Sequence, residues 1–332
     1  MKTATIHAGG LAAMRLEQRP VNDPAPREIQ VRWRATSLNY HDYLVATGGI
    51  PVADGRIPMS DGAGEVVAVG ADVHEWKVGD AVMSLFFPNW LEGRATFMKM
   101  MAISGETIDG YATEVSNILA TAVTAIPNGY SLAEAATLPC AALTAWRALV
   151  VEGRIQPGDT VLIQGTGGMS IFALQIALSA GASVFATTSS DEKAERLYDL
   201  GVAKVFNYRQ DAQWGKTIYK QTGGIQHILD VGGGTTMVQS IEAAAIGGHI
   251  ASIGILGNGR KGEITFPKLF FKQLRLTGLA VGSRDMQEDM IRSINASGWK
   301  PVMDRSFTLD TLADAFHYQA TGQHFGKITA VW

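Results

Sequence analysis

Glycines that can hold a phosphate group stand at residues 165 to 168, directly after an apolar segment. The pattern reads Gly165-x-Gly167-x-x-Ser170, with serine where a dinucleotide-binding fingerprint usually has glycine or alanine. Gly165 permits a tight turn, and Gly167 lets a pyrophosphate approach the backbone. The start of a following helix adds free N–H groups and a favourable dipole. These residues predict binding of a pyridine dinucleotide, and therefore hydride-transfer chemistry.

The elements expected around this turn make the pattern specific, because a glycine motif alone is weak evidence. A strand is predicted over Thr160–Ile163, a helix over Gly168–Ala180 and a second strand over Ser183–Ala186. Strand, glycine turn, helix and strand in this order form a dinucleotide-binding unit. The residues of the turn that are predicted to contact the cofactor are Gly165, Thr166, Gly167, Gly168 and Met169.

The end of the second predicted strand bears on which cofactor binds. NAD-binding proteins generally place a carboxylate there for the ribose 2′-hydroxyl, whereas this chain has Ala186-Thr-Thr-Ser-Ser190. The residues predicted to bind a 2′-phosphate instead are Thr188, Ser189 and Lys193, with Arg209 near them, and Tyr208 is a further predicted cofactor contact. The sequence therefore favours NADPH. Two alternatives stay open: Lys193 faces water at a solvated helix start, or Asp191 reaches the ribose of NADH.

Strands and helices alternate through the second half of the chain, which is typical of a parallel, doubly wound α/β sheet. The further strands predicted there are Ala203–Phe206, His227–Val231 and His249–Ile253. Before about residue 123, short alternating segments such as Ile29–Ala35 lie between Pro, Gly and Asp clusters, as in a β-rich module. The chain therefore has two kinds of domain.

The composition excludes several classes of protein. With 332 residues, of which 46% are hydrophobic and 18% charged, the chain is expected to be folded and well packed rather than disordered. A net charge of −3 offers no basic stripe, so neither nucleic acid nor an anionic membrane is expected as a partner. Cys140 is the sole cysteine, and the first ten residues lack an apolar signal core, so we expect a cytoplasmic protein.

Several motifs, in their order along the chain, resemble those of the medium-chain dehydrogenase/reductase superfamily, above all its zinc-independent alcohol dehydrogenase-like and quinone oxidoreductase-like branch. Besides the glycine turn they are Ser37-Leu-Asn-Tyr-His-Asp42, Pro58-Met-Ser-Asp-Gly-Ala-Gly-Glu65, Val78-Gly-Asp-Ala-Val82, Ala136-Thr-Leu-Pro-Cys-Ala-Ala-Leu-Thr-Ala-Trp146, Pro157-Gly-Asp-Thr-Val161 and Phe325-Gly-Lys327. The resemblance implies a GroES-like, β-rich catalytic domain over residues 1–123, completed by residues 283–332. It implies a Rossmann cofactor domain over residues 124–282.

The departures from that family concern its zinc sites. Zinc-dependent members have ligands at positions matched here by Asn39, by Ser60-Asp61-Gly62 and by Cys140. An amide is a poor zinc ligand beside a thiolate, so only two suitable ligands remain. The segment 86–110 has no cysteines for a structural zinc and is rich in Phe, Met and Trp. We therefore expect no zinc.

Without a metal, polar side chains must assist hydride transfer. The resemblance places Asn39, Tyr40 and His41 at the start of the active-site helix, where Asn39 can donate to the substrate oxygen or the nicotinamide ribose. His41 matches a proton-relay position, although it can also cap a helix or face solvent. Tyr40 is a pocket wall, a proton donor or a core residue, and Asp42 is expected to be a structural anchor.

The resemblance also implies further contacts with the cofactor. They are Thr144, Gly254, Ile255, Leu256, Gly282 and Lys327, and Val231 is a further predicted contact because it ends a strand at the carboxyl edge of the sheet, where ligands bind. Thr144 has the alternative of being an ordinary helix residue, and Lys327 that of being a solvated lysine. The apolar residues Phe86, Phe87, Trp90, Phe97 and Met98 or Met100 form a substrate wall or, alternatively, a core or interface.

The reaction expected is hydride transfer between NADPH and a carbonyl or alcohol carbon of a small, apolar or aromatic substrate. Reduction of a quinone or enone is the alternative. A non-catalytic NADPH-binding protein is the rival from another class. The strand-like segment Leu274–Val281 predicts a homodimer formed by pairing across a two-fold axis.

Overall fold

The computed structural model describes residues 1–256 and 261–332. Its strands are β1 Lys2–His7, β2 Gly10–Gln18, β3 Glu28–Ser37, β4 Ala63–Val69, β5 Ala81–Ser84, β6 Val115–Leu119, β7 Val123–Ala125, β8 Thr160–Gln164, β9 Ser183–Thr188, β10 Lys204–Asn207, β11 Ile225–Asp230, β12 Ala244–Ser252, β13 Arg275–Gly278, β14 Met303–Phe307 and β15 Lys327–Val331. Its helices are α1 Tyr40–Ala46, α2 Phe97–Met100, α3 Leu132–Ala135, α4 Leu143–Trp146, α5 Gly168–Ser179, α6 Asp191–Asp199, α7 Trp214–Thr222, α8 Gly234–Ala243, α9 Phe266–Phe271, α10 Arg284–Ser297 and α11 Leu312–Ala320. None of the helices in these two ranges is long and apolar enough to cross a membrane.

The chain divides into two compact units. Unit 1 comprises residues 1–143 and 281–332, and unit 2 comprises residues 144–280. The first boundary lies after Leu143 rather than after residue 123. The reason is that β7 pairs with β5, and α3 packs against β3 and β4, so residues 123 to 143 belong to the β-rich unit.

Unit 1 is built on a mixed sheet in the order β14-β15-β3-β4-β5-β7, with β6 also paired to β3. Alternation along β3 buries Ile29, Val31 and Trp33 on one face, as its sequence pattern predicts. The chain's last strand, β15, pairs antiparallel with β3 at Thr329 and Ser37. This register brings the residues at the start of β15 next to the turn between β3 and α1.

Unit 2 is a parallel sheet in the order β10-β9-β8-β11-β12-β13, with helices between the strands. The predicted Rossmann-type sheet is confirmed. The strand order reverses between β8 and β11, and ligands bind at such a reversal, outside the carboxyl ends of the strands. The glycine turn follows β8 and therefore lies at this point.

The strand expected over Leu274–Val281 is shorter in the structure, where β13 covers Arg275–Gly278. Val281 has a φ of 45°, which a β-branched residue rarely adopts and which no strand contains. The strand therefore ends before it.

Candidate functional site

The glycine turn has the geometry that the sequence predicts. Gly165 has a φ of 73°, which favours glycine, and its N–H donates to Thr187 O at 2.8 Å. Gly167 precedes the first turn of α5, and Gly168 and Met169 begin the helix, while Thr166 is buried beside them. A Cβ built on Gly165 or Gly167 meets no atom within 4 Å. The turn thus leaves open space at the amino end of a twelve-residue helix, where a phosphate group is stabilised.

Ser170, the departure from the glycine fingerprint, has a structural role. Its hydroxyl donates to Gln164 O at 2.8 Å, so it ties the first turn of α5 to the last residue of β8. A serine here satisfies a strand-end carbonyl that glycine or alanine would leave to another donor.

At the end of β9, the acidic side chain that the sequence offers for a ribose, Asp191, already has a partner within the protein. Thr188 is buried, and Ser190 caps α6 by accepting from Lys193 N at 3.3 Å. Asp191 is exposed and accepts from Asn207 Nδ2 at 3.2 Å. Tyr208, half exposed, donates its N–H to Thr188 O at 3.1 Å and so lies beside the strand end. Ser189 follows Thr188 directly and is partly exposed.

The loops after β11 and β12 are joined to each other. Leu256 N donates to Val231 O at 2.9 Å, and a Cβ on Gly254 would lie only 2.8 Å from the same oxygen. Gly254 is therefore required for this close approach. Ile255 and Leu256 are exposed. These loops stand at the carboxyl edge of the sheet, on the other side of the glycine turn from β9.

In unit 1 a buried network joins Asn39, Asp61 and Lys327. The Lys327 ammonium donates to Leu38 O at 2.8 Å and to Asn39 Oδ1 at 2.7 Å, and lies 3.7 Å from Asp61 Oδ2. Asn39 Nδ2 donates to Asp61 Oδ2 at 2.8 Å and to Ser60 Oγ at 3.2 Å. Lys327 is 3% exposed and Asp61 is fully buried.

This network bears on two predicted roles. Both amide hydrogens of Asn39 are used inside the protein, so in this arrangement Asn39 has none left to donate to a substrate oxygen. Lys327, expected near the cofactor phosphates or in solvent, is neither exposed nor unpaired: its ammonium is held by Leu38 and Asn39. Its contact with a cofactor stays a prediction.

The residues at the family's metal position do not suit zinc. Burial raises the pKa of Asp61 to about 6, against the opposing charge of Lys327. Burial and the charge of Asp61 raise the pKa of the Cys140 thiol well above its usual value. A zinc site needs deprotonated ligands, whereas here an amide and a carboxyl group lie against the Lys327 ammonium, and the raised pKa of Cys140 disfavours its thiolate. The Lys327 charge would repel a second cation.

His41 lies between two carboxylates rather than in solvent or at a helix cap. Its Nε2 is 2.7 Å from Glu106 Oε2, its Nδ1 is 3.6 Å from Asp42 Oδ1, and its ring packs edge-on against Phe86. Burial lowers the pKa of an imidazole, but the carboxylates of Asp42 and Glu106 raise the pKa of His41 to about 8. His41 is therefore an ion-paired residue, and neither nitrogen is turned to solvent.

Asp42 is the structural anchor that was expected. Its carboxylate accepts the N–H groups of Asn39 at 2.9 Å and Ser60 at 2.8 Å, and thereby fixes the start of α1. Tyr40 is 41% exposed and stacks on Tyr43, with its hydroxyl unpaired within the described part of the chain.

The expected substrate wall separates into two groups. Phe86, Phe87 and Trp90 are buried and pack ring against ring. Phe97 and Met98 are 80% and 68% exposed, while Met100 is partly buried.

Two further predicted cofactor contacts lie in different units. In unit 2 Thr144 is buried, and in unit 1 a Cβ on Gly282 would lie 3.0 Å from Leu143 Cγ.

Reasoning from the sequence missed Glu106, Gln164 and Asp230. Glu106 gave no signal, because its contact with His41 joins residues 65 positions apart. Gln164 and Asp230 did give one: each is a polar residue that ends an apolar strand, and buried polar side chains in that place need partners.

Comparison with known proteins agrees with both units. Residues 25–128 match the family model described as alcohol dehydrogenase GroES-like domain, and residues 168–296 the model described as zinc-binding dehydrogenase. A zinc-type alcohol dehydrogenase-like protein of Schizosaccharomyces pombe is 39% identical over 91% of this chain and 90% of its own length.

Solved structures extend the likeness over the whole chain. A protein from Sinorhizobium meliloti described as an alcohol dehydrogenase has a TM-score of 0.93 and 36% identity, covering 100% of this chain and 98% of its own. An NAD-dependent alcohol dehydrogenase has a TM-score of 0.89 and 29% identity over the full length of both chains. With the GroES-like fold of unit 1 and the glycine turn of unit 2, these matches place the chain in the medium-chain dehydrogenase/reductase superfamily, as an alcohol dehydrogenase-like, NAD(P)-dependent oxidoreductase.

Proposed function

We propose that this chain transfers hydride between NADPH and a carbonyl or alcohol carbon, without zinc. Two observations, one in each unit, carry the proposal: the open glycine turn at the sheet reversal of unit 2 and the buried ammonium at the family's metal position in unit 1. The first supports a dinucleotide, and the second leaves a protein cation where a zinc ion would need anionic ligands. NADPH, when bound, supplies the hydride.

In this proposal the side chains at the start of α1 have different roles. Asn39 and His41 are held by Lys327 and Glu106, so they shape the site rather than exchange protons. Tyr40, exposed and with an unpaired hydroxyl in the residues described, gives its proton to the oxygen that gains charge as hydride reaches the carbon.

Removal of the Tyr40 hydroxyl is the first test of this division. We expect Tyr40→Phe to lower kcat by at least about 100-fold, because general acid catalysis contributes roughly 10²–10⁴-fold. Tyr43→Phe, which removes the same group from the stacked neighbour, is the matched control and should leave kcat within about twofold. Equal effects of the two substitutions would contradict the assignment.

The preference for NADPH makes a second prediction. Ser189→Asp places a carboxylate beside the proposed 2′-phosphate, and like charges held together cost at least about 1.4 kcal/mol, a tenfold change. We expect the Kd for NADPH to rise at least about tenfold while the Kd for NADH stays equal or falls. Titration calorimetry measures both, and tighter binding of NADH by the unmodified chain would refute the preference.

Reduction of a quinone or enone is the second candidate. The donor set around Lys327 does not suit a Lewis-acid ion, and a conjugated acceptor is already polarised for hydride attack. The exposed Phe97 and Met98 favour an apolar substrate of this kind.

We also propose that the chain forms a homodimer. β13 is an edge strand of the sheet in unit 2, and α9 beside it carries Phe266, Phe270 and Phe271 at 71%, 83% and 76% exposure. An unpaired edge next to such an apolar patch is suited to pairing with a second copy.

Acidic side chains introduced into this apolar patch of α9 should therefore separate the dimer into monomers. Phe270→Glu combined with Phe271→Glu is expected to give monomers in sedimentation velocity, since two carboxylates would have to be buried in the interface. Phe97→Glu, which changes an equally exposed phenylalanine in unit 1, should leave the dimer intact. A stable monomer of the unmodified chain would end the proposal.

A further inference from the structure

Beneath the glycine turn lies a buried polar cluster of Gln164, Asp230 and Ser240. Gln164 ends β8 and is 5% exposed, while Asp230 ends the neighbouring β11 and is fully buried. Gln164 Nε2 donates to Ser240 Oγ at 2.8 Å and to Asp230 Oδ2 at 3.3 Å, and Ser240 Oγ donates to Asp230 Oδ2 at 2.6 Å. Each polar atom thus has a defined partner.

The same side chains hold the loop after β11. Asp230 Oδ1 accepts from Gly233 N at 3.0 Å and from Thr236 Oγ1 at 2.7 Å. Gln164 Oε1 accepts from Val231 N at 3.3 Å. The side chains of Gln164 and Asp230 therefore fix the path of the loop through Val231 and Gly233.

From this loop the hydrogen bonds continue to the one after β12. Asp230 O accepts from Ile253 N, and Val231 O from Leu256 N, each at 2.9 Å. A movement of the first loop would therefore shift the second as well, because Gly254 already lies against Val231.

The fold indicates which part of the cofactor these loops face. A dinucleotide lies across the reversal of strand order, with its pyrophosphate at the glycine turn and its adenosine ribose at the end of the second strand. In unit 2 that strand is β9. The nicotinamide half must then extend to the other side, over the ends of β11 and β12.

We propose that Gln164 and Asp230 are positioning residues for the nicotinamide ring, acting through the two loops that they and Val231 hold together. The proposal rests on the proposed function and adds residues that do not touch the cofactor themselves. It separates the two halves of the site: the hydroxyls of β9 hold the adenosine half, and the buried cluster orients the reacting half.

Two substitutions in the native chain test this. Gln164→Met keeps the shape of the side chain and removes its hydrogen bonds, and Asp230→Asn replaces one of the two acceptor oxygens by an NH2 donor. We expect kcat to fall by about 10- to 100-fold in either variant, because a displacement of about 1 Å of a reacting group costs on the order of 100-fold. The fluorescence of bound NADPH, which reports the surroundings of the nicotinamide, should shift, while the Kd for 2′,5′-ADP stays within about twofold.

Gln287→Met is the matched control. Gln287 is a fully buried glutamine of unit 1 that donates to Ser84 O and Thr124 Oγ1, so its loss carries a similar cost in stability. It should change neither kcat nor the fluorescence. The inference would be overturned if both test variants kept a normal kcat and normal fluorescence. It would also be overturned if the test variants lost as much affinity for 2′,5′-ADP as for NADPH. If the unmodified chain binds neither NADPH nor 2′,5′-ADP, the proposed function is wrong, and the inference, which depends on it, is wrong as well.

Discussion

Gly167→Ala is expected to abolish most NADPH binding without destabilising the fold. The new Cβ meets no protein atom within 4 Å, and the φ of −71° at Gly167 suits alanine. The same Cβ enters the space assigned to the pyrophosphate, and such overpacking costs about 1–3 kcal/mol, or up to roughly 100-fold in Kd. Calorimetric titration with NADPH measures the loss, and thermal unfolding of the free protein should be unchanged.

Gly278→Ala is the control for this substitution, because its Cβ also meets no atom within 4 Å. NADPH binding should be unaffected there. Unchanged binding in Gly167→Ala would mean that the cofactor does not approach the turn, and it would remove the main support for the proposed function.

Lys327→Met is expected to destabilise the chain by about 3–5 kcal/mol near pH 8, because it leaves the buried Asp61 carboxylate without its cation. The pH dependence has a definite sign. Burial has already raised the pKa of Asp61 to about 6, and loss of Lys327 would raise it further, so the carboxyl takes up a proton as the pH falls. The difference in unfolding free energy between the two proteins should therefore shrink as the pH falls from the raised Asp61 pKa of the variant toward about pH 6, and it should stay constant at lower pH.

A double-mutant cycle with Asp61→Asn isolates this interaction. The double variant lacks both charges, so we expect it to recover much of the stability that Lys327→Met loses, with a coupling of roughly 1–3 kcal/mol. Denaturant unfolding at several pH values gives the four free energies. Additive effects at every pH would show that Lys327 does not compensate Asp61.

The sequence predicted β8 and β9 of unit 2 well because each contains an apolar run followed by turn residues. Thr160–Ile163 and Ser183–Ala186 fall within β8 and β9, and the glycine turn between β8 and α5 is as expected. The end of β13 was not predictable, since the positive φ of Val281 depends on tertiary context rather than on local pattern. The boundary at Leu143 depends likewise on the pairing of β7 with β5.

The candidate site was less accessible to sequence reasoning than the fold. Asn39 and Lys327 lie 288 positions apart, and only the antiparallel register of β15 on β3 brings them together. The contact of His41 with Glu106 also follows from a long-range fold. The residue types alone showed that the zinc ligands of the family are replaced here. That the Lys327 ammonium lies beside Asn39 and Asp61 could be seen only in the structure.

The most direct test of zinc-independent hydride transfer is the oxidation of NADPH by chelator-treated protein. The protein's metal content is measured first, and aldehydes, ketones, enones and quinones are then supplied in turn. Turnover of a carbonyl substrate at an undiminished rate with substoichiometric zinc is the predicted result. Turnover that returns only when zinc is added, or tight NADPH binding without oxidation by any acceptor, would contradict the proposal.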